Sequence, residues 1–466
     1  MRLGPLGVAP WLGAVVVLQL VNVVSQLDRY VLGYIASVEP KACAVLCSNC
    51  DACDARPVCT PCSECRTAND AQRYSVAEAT CLSAAEYGVL TGVAFSLFYA
   101  AASAVTGPVL DRIGARVKWL LAAAVLIWSA ATAAQALAST FWLLAICRAL
   151  VGLAESVTSP AAYSVIAAVV PASRRSIANA VFSVGVYWGG GLASACLLLD
   201  NRVGWRAVVA GIGALGVVAT ALAAACLPSA SSHRAMASRA LSLGQGQTGG
   251  GDETVARVCA TPGFVLTVVA ATARFLAGLS IAFFLAKFMA AQFPTRADDF
   301  SIGNAVIVAA CGTTSALGGG AVGDALSRFG PMAQLWVPIV GGLVAAGAMA
   351  VTFLSPSFEA SMGGLAVAYL FAEAWFGPTL AAVQTLVPLD HIGTATALFV
   401  AITTAGGSVA PAVLGAVWDS LDDKRDIRFA LVAAVSGCYV IASAAFALVI
   451  ARAKPVGSDA GSSAGR

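Results

Sequence analysis

The sequence predicts an all-α integral membrane protein of about twelve transmembrane helices in two pseudo-symmetric six-helix bundles. Of its 466 residues, 59% are hydrophobic and 11% are charged, whereas about 25% are charged in soluble domains. About twelve apolar runs reach the roughly 20 residues that a helix needs to cross a bilayer. A short motif in the first half also recurs in the second, as a duplicated architecture requires.

The apolar runs give the boundaries of the predicted spans. They are 10–36, 86–108, 117–137, 140–170, 177–199 and 206–227 in the first half, and 262–290, 301–323, 333–354, 361–387, 393–418 and 428–452 in the second. The first run does not resemble a cleaved signal peptide, because it is long, holds Asp28 and Arg29, and lacks a small-residue cleavage site.

Lysine and arginine are more frequent in the alternate loops that share a side with the termini. The positive-inside rule therefore predicts that both termini of this multi-pass protein lie in the cytoplasm. The choice between a plasma membrane and an endolysosomal or vacuolar membrane stays open. We predict an N-terminal bundle over 1–227, a cytoplasmic linker over 228–257, a C-terminal bundle over 258–452 and a disordered tail over 453–466. The linker is rich in Ser, Gly and Ala and has no apolar stripe.

The repeated motif follows the second and eighth spans. GPVLDRIGARVK at 107–118 and GAVGDALSRFG at 320–330 share Gly-x-x-x-Asp at matching places in the two halves. We predict that these loops form a cytoplasmic gate, since glycines allow close helix packing and the charges can join the two halves. The predicted gate residues are Gly107, Asp111, Arg112, Gly114, Arg116, Gly320, Asp324 and Arg328. Alternatively, the charges only reflect the positive-inside rule.

Charged residues lie inside two of the spans. Asp28 is in the first span, and Arg148 and Glu155 share one face of the fourth, about 10 Å apart along the helix. A charge at membrane depth costs at least about 2.5–3.5 kcal/mol, so such residues usually face a cavity or a partner and mark a transport pathway. The pattern indicates a membrane carrier with charged groups in its core.

These motifs resemble those of the major facilitator superfamily, and within it the Spinster-like lipid transporters. The resemblance rests on the loop GPVLDRIGARVK, the pair Asp28–Arg29, the segment RALVGLAES at 148–156, GGGL at 189–192 and Glu373 in YLFAEAWFGP. The eleventh span departs from the pattern, because Thr403 and Gly407 stand where a His and an Asp are expected.

The resemblance implies a secondary active or facilitative transporter, not an enzyme, that works by alternating access. Asp28 and Glu155 are the expected proton-coupling residues. Arg148, with Arg274 and Glu373, is expected to bind the substrate, an anionic or zwitterionic amphiphile of the lysophospholipid or sphingoid phosphate type. If an anion binds Arg148, the Asp28 carboxylate loses the stabilising charge of this arginine and should take up a proton. Binding of the substrate anion is then coupled to binding of a proton.

Several alternatives stay open at this stage. The substrate could instead be a small organic anion, or the protein a transport-inactive receptor or scaffold. The charged groups of spans 1 and 4, and the pair Arg274–Glu373, could each be structural. Lys287 is predicted to extend to the membrane interface. Five aromatic residues could line a cavity for an acyl chain or serve instead in packing or as anchors at the membrane interface, namely Phe182, Tyr187, Trp188, Trp375 and Phe376.

The loop over 37–85 is rich in cysteine. It holds eight of the 14 cysteines, namely Cys43, Cys47, Cys50, Cys53, Cys59, Cys62, Cys65 and Cys81. Because the predicted topology exposes this loop to an oxidising compartment, we predict disulfide bonds within it. The Cys-x-x-Cys spacings also fit a metal site, which is the alternative.

The sequence also excludes several classes of protein. It has no phosphate-binding P-loop and no HExxH motif, and its Gly-x-Ser-x-Gly match, GSSAG at 461–465, lies in the predicted disordered tail, which argues against an ATP-driven pump and against the corresponding enzymes. A net charge of +3 without a basic tract does not indicate nucleic-acid binding. The expected partners are a small-molecule or lipid substrate, protons and the bilayer. The expected form is a monomer without a cofactor.

Overall fold

A computed structural model describes residues 10–35, 76, 82–113, 116–170, 175–227, 251–261, 263–330, 332–387 and 392–452. Within these ranges the chain is helical, and twelve helices or helix pairs are long and apolar enough to cross a membrane. The predicted fold class is therefore confirmed. The eight loop cysteines all lie outside the described residues.

The first six spans contain eight helices. They are α1 (Pro10–Ile35) in span 1, α2 (Ala84–Thr91) and α3 (Val93–Ile113) in span 2, α4 (Val117–Gln135) in span 3, α5 (Phe141–Glu155) and α6 (Thr158–Val169) in span 4, α7 (Arg175–Val203) in span 5 and α8 (Trp205–Cys226) in span 6.

A short helix, α9 (Gly251–Ala260), precedes the second half. Residues 251–257 of the predicted linker are therefore helical. Val258 anchors this helix, because its side chain is buried in an apolar cluster with Phe264 and Phe399.

Spans 7 to 12 are more often interrupted. Span 7 is α10 (Phe264–Gln292), and span 9 is α13 (Trp336–Leu354). Span 8 contains α11 (Ala297–Val306), a π-helical turn (Ile307–Cys311) and α12 (Gly312–Leu326), and span 10 contains α14 (Phe358–Ala372), a 3₁₀ turn (Glu373–Trp375) and α15 (Phe376–Leu386). Span 11 contains α16 (Ile392–Gly407) and α17 (Val409–Ser420), and span 12 contains α18 (Ile427–Leu431), a π-helical segment (Val432–Gly437) and α19 (Cys438–Arg452).

Local sequence explains where several spans begin. Ser83 and Glu86 form a capping box, in which Ser83 Oγ accepts from Glu86 N and Glu86 Oε2 accepts from Ser83 N. Thr140 and Ser357 cap spans 4 and 10 through their hydroxyls.

We call the membrane face at which span 1 begins and span 12 ends the terminal face, and the other the opposite face.

Hydrogen bonds join the two halves near the opposite face. Asp419 of span 11 accepts from the backbone N–H groups of Ala84 (3.0 Å) and Ala85 (2.9 Å) at the start of span 2. The Tyr87 hydroxyl donates to the carbonyl oxygen of Phe283 in span 7. A charged side chain of one half therefore caps a helix of the other.

A second set of bonds joins spans 5 and 8 near the same face. The hydroxyls of Ser194 and Ser301 each donate to the other's carbonyl oxygen. Asn304 Nδ2 donates to the Tyr34 hydroxyl (2.9 Å) and to Ser194 Oγ (3.0 Å). The halves are thus held together by buried polar contacts at the opposite face.

Candidate functional site

Arg148 of span 4 is completely buried and holds the backbone of span 1. Its Nη1 donates to the carbonyl oxygen of Asp28 (3.3 Å) and its Nη2 to that of Arg29 (3.0 Å). Nη1 also lies 4.0 Å from Asp28 Oδ2, and the Arg148 side chain is 0% exposed. Most of the guanidinium is therefore committed to positioning the Asp28–Arg29 segment.

Glu155 pairs with Arg29 rather than with Arg148. Arg29 Nη2 and Nε donate to Glu155 Oε2 at 2.9 and 3.3 Å. A helical side chain points toward the N-terminus of its helix, which for span 1 is the terminal face. Arg29 therefore extends toward Glu155, which lies about two helical turns past Arg148 in that direction. The sequence identifies Arg29 as part of the Asp-Arg motif, but no role was predicted for its side chain.

Span 2 supplies an aromatic wall for this pair. The rings of Phe95 and Tyr99 are stacked with centroids 5.6 Å apart, and Arg29 Cζ lies 4.7 and 4.8 Å from them. Arg148 Cζ lies 5.3 Å from the Phe95 ring. Cations near ring faces are stabilised by the ring quadrupole. Gly152 allows spans 2 and 4 to approach closely, since a Cβ at this position would collide with the Phe95 carbonyl oxygen.

The second half contains a corresponding pair. Arg274 Nη2 donates to the carbonyl oxygen of Ala372 (2.7 Å) and lies 3.4 Å from Glu373 Oε1. The Arg274 Cζ atom lies 4.4 Å from the Tyr439 ring centroid and 5.3 Å from that of Trp375. The Arg274 side chain is 2% exposed and that of Glu373 is 22% exposed. The Glu373 side chain is thus partly exposed, whereas that of Arg274 is enclosed.

The two glutamates lie at breaks in equivalent spans. Glu155 is the last residue of α5 and Glu373 begins the 3₁₀ turn of span 10. Their arginine partners are not equivalent, since Arg29 lies in the last third of α1 and Arg274 lies in the first half of α10. The arginine of the ion pair therefore lies at a different depth in the first span of each half.

Lys287 does not extend to the interface, so that prediction is wrong. Its side chain is buried, and Nζ lies 5.2 Å from the Tyr87 ring centroid and 5.1 Å from that of Trp418. Spans 2, 7 and 11 meet at this point, and their aromatic rings surround the ammonium group.

The described gate residues lie at the surface. Arg116, Asp324 and Arg328 are exposed, and a Cβ on Gly320 would meet open space. Gly107, Asp111 and Arg112 belong to α3, but their side chains are not described, and Gly114 lies outside the described residues. The gate therefore stays a prediction.

The five aromatic residues separate into two groups. Phe182 is buried and packs edge-on against Tyr163. Trp188 is exposed on a stripe of α7 with Val181, Leu192 and Leu199. Because that stripe continues to the joined opposite face, it faces outward and is expected to contact lipid.

The other three aromatic residues lie nearer the charged pairs. The Tyr187 ring packs on Gly312, and Tyr187 is close enough to Glu373 to interact with it. Trp375 contacts Arg274 and Phe376. Phe376 is partly exposed and lies 6.3 Å from Phe399. Tyr187 and Trp375 therefore lie close to the Arg274–Glu373 pair, and Phe376 packs beside Trp375.

Comparison with known proteins identifies the family. The model of the Major Facilitator Superfamily matches residues 71–411. The chain belongs to the Major Facilitator Superfamily. It is therefore a membrane transporter of that superfamily rather than an enzyme, as the sequence predicted.

Individual relatives agree with this assignment. The chain is 27% identical over 384 residues to an MFS-type efflux pump of Mycolicibacterium smegmatis, covering 78% of this chain and 85% of the relative. Over 116 residues, 24% of this chain and 19% of the relative, it is 39% identical to a probable chloroplastic anion transporter of Oryza sativa.

A solved structure extends the likeness over the whole fold. It is a bacterial homologue of the human lysosomal transporter Spinster in an inward-facing, unoccupied conformation. The TM-score is 0.68 at 20% identity, with 95% of this chain and 96% of that chain covered. The predicted resemblance to the Spinster-like branch is thus supported at the level of the fold.

Proposed function

We propose that the protein is a proton-linked secondary active transporter that moves an anionic or zwitterionic amphiphile by alternating access. One observation carries the proposal. In each half one member of a buried ion pair is partly exposed, Arg29 at 21% and Glu373 at 22%. A cation and an anion thus remain accessible among aromatic side chains, while Arg148 and Arg274 are enclosed.

The exposed charges define the substrate class. Arg29 has the planar donor fork that suits a phosphate or carboxylate, and Glu373 can accept a cationic group. Phe95, Tyr99 and Phe376 provide apolar surface beside these charges, which suits the chain of an amphiphile. A lysophospholipid or a sphingoid phosphate combines these features. In this proposal Arg29 binds the anion, and Arg148 acts by positioning span 1.

Proton coupling follows from competition for Arg29. A substrate anion that binds Arg29 weakens its pairing with Glu155, whose Oε1 already lacks a hydrogen-bond partner among the described residues. A buried carboxylate without its counter-ion favours the protonated form. Substrate and proton then bind with positive coupling, and each raises the affinity for the other. Asp28, beside Arg148, is the second proton-coupling carboxylate.

A thermal-shift screen of detergent-purified protein tests the proposal. Lysophospholipids, sphingoid phosphates, small carboxylates and sugars are compared near pH 5.5 and pH 7.5, because a ligand at 100 times its Kd stabilises by about 2.7 kcal/mol. We expect a pH-dependent shift with the lipids that is lost in Arg29→Ala. Stabilisation by small carboxylates alone would favour the organic-anion alternative, which the rice relative's name supports. Binding without flux in liposomes would indicate a receptor.

A further inference from the structure

One face of span 3 carries buried polar groups that the proposed mechanism does not use. Trp128, Thr132 and Gln135 are spaced i, i+4 and i+7 along α4, and all three are buried. Trp128 Nε1, Thr132 Oγ1 and Gln135 Nε2 have no hydrogen-bond partner among the described residues. Buried polar groups are almost always hydrogen-bonded, to protein or to ordered water.

This polar face lies beside Asp28. The Thr132 hydroxyl is near enough to the Asp28 carboxyl to interact with it, but the two do not form a well-aligned hydrogen bond. Asp28 Oδ2 likewise has no hydrogen-bond partner among the described residues. The charged groups around Asp28 are Arg148, Glu155 and Arg29. All three are already engaged with other groups, as described above.

The polar face leads from Asp28 to the opposite face. Gln135 is the last residue of α4 and lies at the end of span 3, and Thr132 lies one turn before it. Asp28 lies nearly two helical turns before Tyr34, whose hydroxyl takes part in the contacts at the opposite face, and this spacing places Asp28 about 9 Å from that face. Trp128, about two turns before Gln135, is at the depth of Asp28. The orphaned polar atoms therefore span the distance between the carboxyl and that surface.

We propose that ordered water molecules bind along Thr132 and Gln135 and form a proton path between Asp28 and the opposite face, separate from the partly exposed Arg29 and Glu373. The inference rests on the proposed proton linkage. Water needs two to four polar partners to occupy a buried site, and these side chains offer them in sequence. A path inside the N-terminal bundle lets Asp28 exchange its proton while the two halves remain joined at that face.

Infrared spectroscopy of the reconstituted full-length protein tests the path. The carbonyl band of protonated Asp28 is assigned by its loss in Asp28→Asn, and its shift is followed after transfer from H₂O to D₂O. Thr132→Val and Gln135→Leu should slow this exchange about tenfold, as expected when one hydrogen-bonding link is removed from the barrier. Ser129→Ala is the matched control, because the buried Ser129 hydroxyl on the same helix already donates to Val125.

Thermal stability distinguishes a water path from a structural role. The Thr132 hydroxyl has no protein hydrogen-bond partner among the described residues, so Thr132→Val removes hydrogen bonds to water alone. The Tm should therefore change no more than it does in Ser129→Ala, while proton exchange slows in Thr132→Val only. A much larger loss of Tm in Thr132→Val than in Ser129→Ala would overturn the proposal, because the hydroxyl would then hold the fold together through a protein group.

The remaining outcomes separate the path from proton coupling. If the Asp28 band titrates but exchanges equally fast in all variants, protons arrive by another route and the path is wrong. If wild-type protein shows no titrating band that depends on Asp28, proton coupling at Asp28 fails and the path fails with it.

Discussion

Arg29 and Glu155 form the ion pair that joins spans 1 and 4 of the charged core. Both hydrogen bonds go to the same oxygen, Glu155 Oε2, and the arginine is partly exposed while the glutamate is fully enclosed. The enclosed carboxylate therefore has a counter-ion that is itself partly exposed. Under the proposed function, a ligand that binds Arg29 changes the charge state inside the N-terminal bundle.

The two arginines of the charged core should affect different properties. Arg29→Ala is expected to abolish the ligand-induced thermal shift with a small change in the Tm of the free protein. Arg148→Ala should destabilise the protein by about 3–5 kcal/mol, the usual cost of leaving a buried charge without its partner.

Arg29→Lys refines this comparison, because an ammonium group cannot reproduce the planar fork, and weakened binding is expected. Thermal unfolding with and without ligand measures both effects. A stable Arg148→Ala variant that has lost ligand binding would show instead that Arg148 contacts the substrate.

The contact between spans 2 and 4 should not tolerate a side chain at Gly152. Gly152→Ala would press a methyl group into the Phe95 carbonyl and is expected to cost about 1–3 kcal/mol, as overpacking usually does. Gly347→Ala in span 9 is the matched control, since a Cβ there meets nothing, and should stabilise by about 0.5–1 kcal/mol. Equal melting temperatures for the two variants would contradict the close approach.

The cap that Asp419 provides should stabilise the joined opposite face. Asp419→Asn removes a charge-assisted acceptor and should speed hydrogen exchange in residues 84–91 about tenfold or more. Asp423→Asn is the control, because Asp423 bonds only locally, to Arg425. Exchange that is unchanged in Asp419→Asn would show that other contacts keep the halves together.

Hydropathy was sufficient to predict the spans because membrane helices are selected for apolar length. Most predicted boundaries fall within a few residues of the helices, for example 117–137 against Val117–Gln135. The interruptions were not predicted. The π-helical turn at Ile307–Cys311 and the break after Glu155 depend on packing between spans, which a hydropathy profile does not contain.

The charged residues were predictable, and so were the contacts of Arg148 with Asp28 and of Arg274 with Glu373. The pairing of Glu155 with Arg29 was not predicted. Because a charge at membrane depth costs free energy, Asp28, Arg148 and Glu155 could be identified as functional candidates from the sequence alone. Helical spacing suggested that Arg148 and Glu155 act together, whereas the structure pairs them with opposite members of the Asp28–Arg29 motif. The packing of the folded chain sets how far span 1 is shifted along span 4, and this shift brings Arg29 to Glu155. Lys287 was misjudged for the same reason, because its aromatic neighbours come from two other spans.

Flux through reconstituted protein under an imposed pH gradient tests the central claim most directly. Liposomes containing the wild type or Asp28→Asn are loaded with the lipid identified by thermal shift, and its movement is followed with and without the gradient. We expect the gradient to accelerate wild-type flux, whereas Asp28→Asn should still exchange substrate but no longer respond to pH. Flux in the variant that responds to the gradient as the wild type does would contradict proton coupling through Asp28.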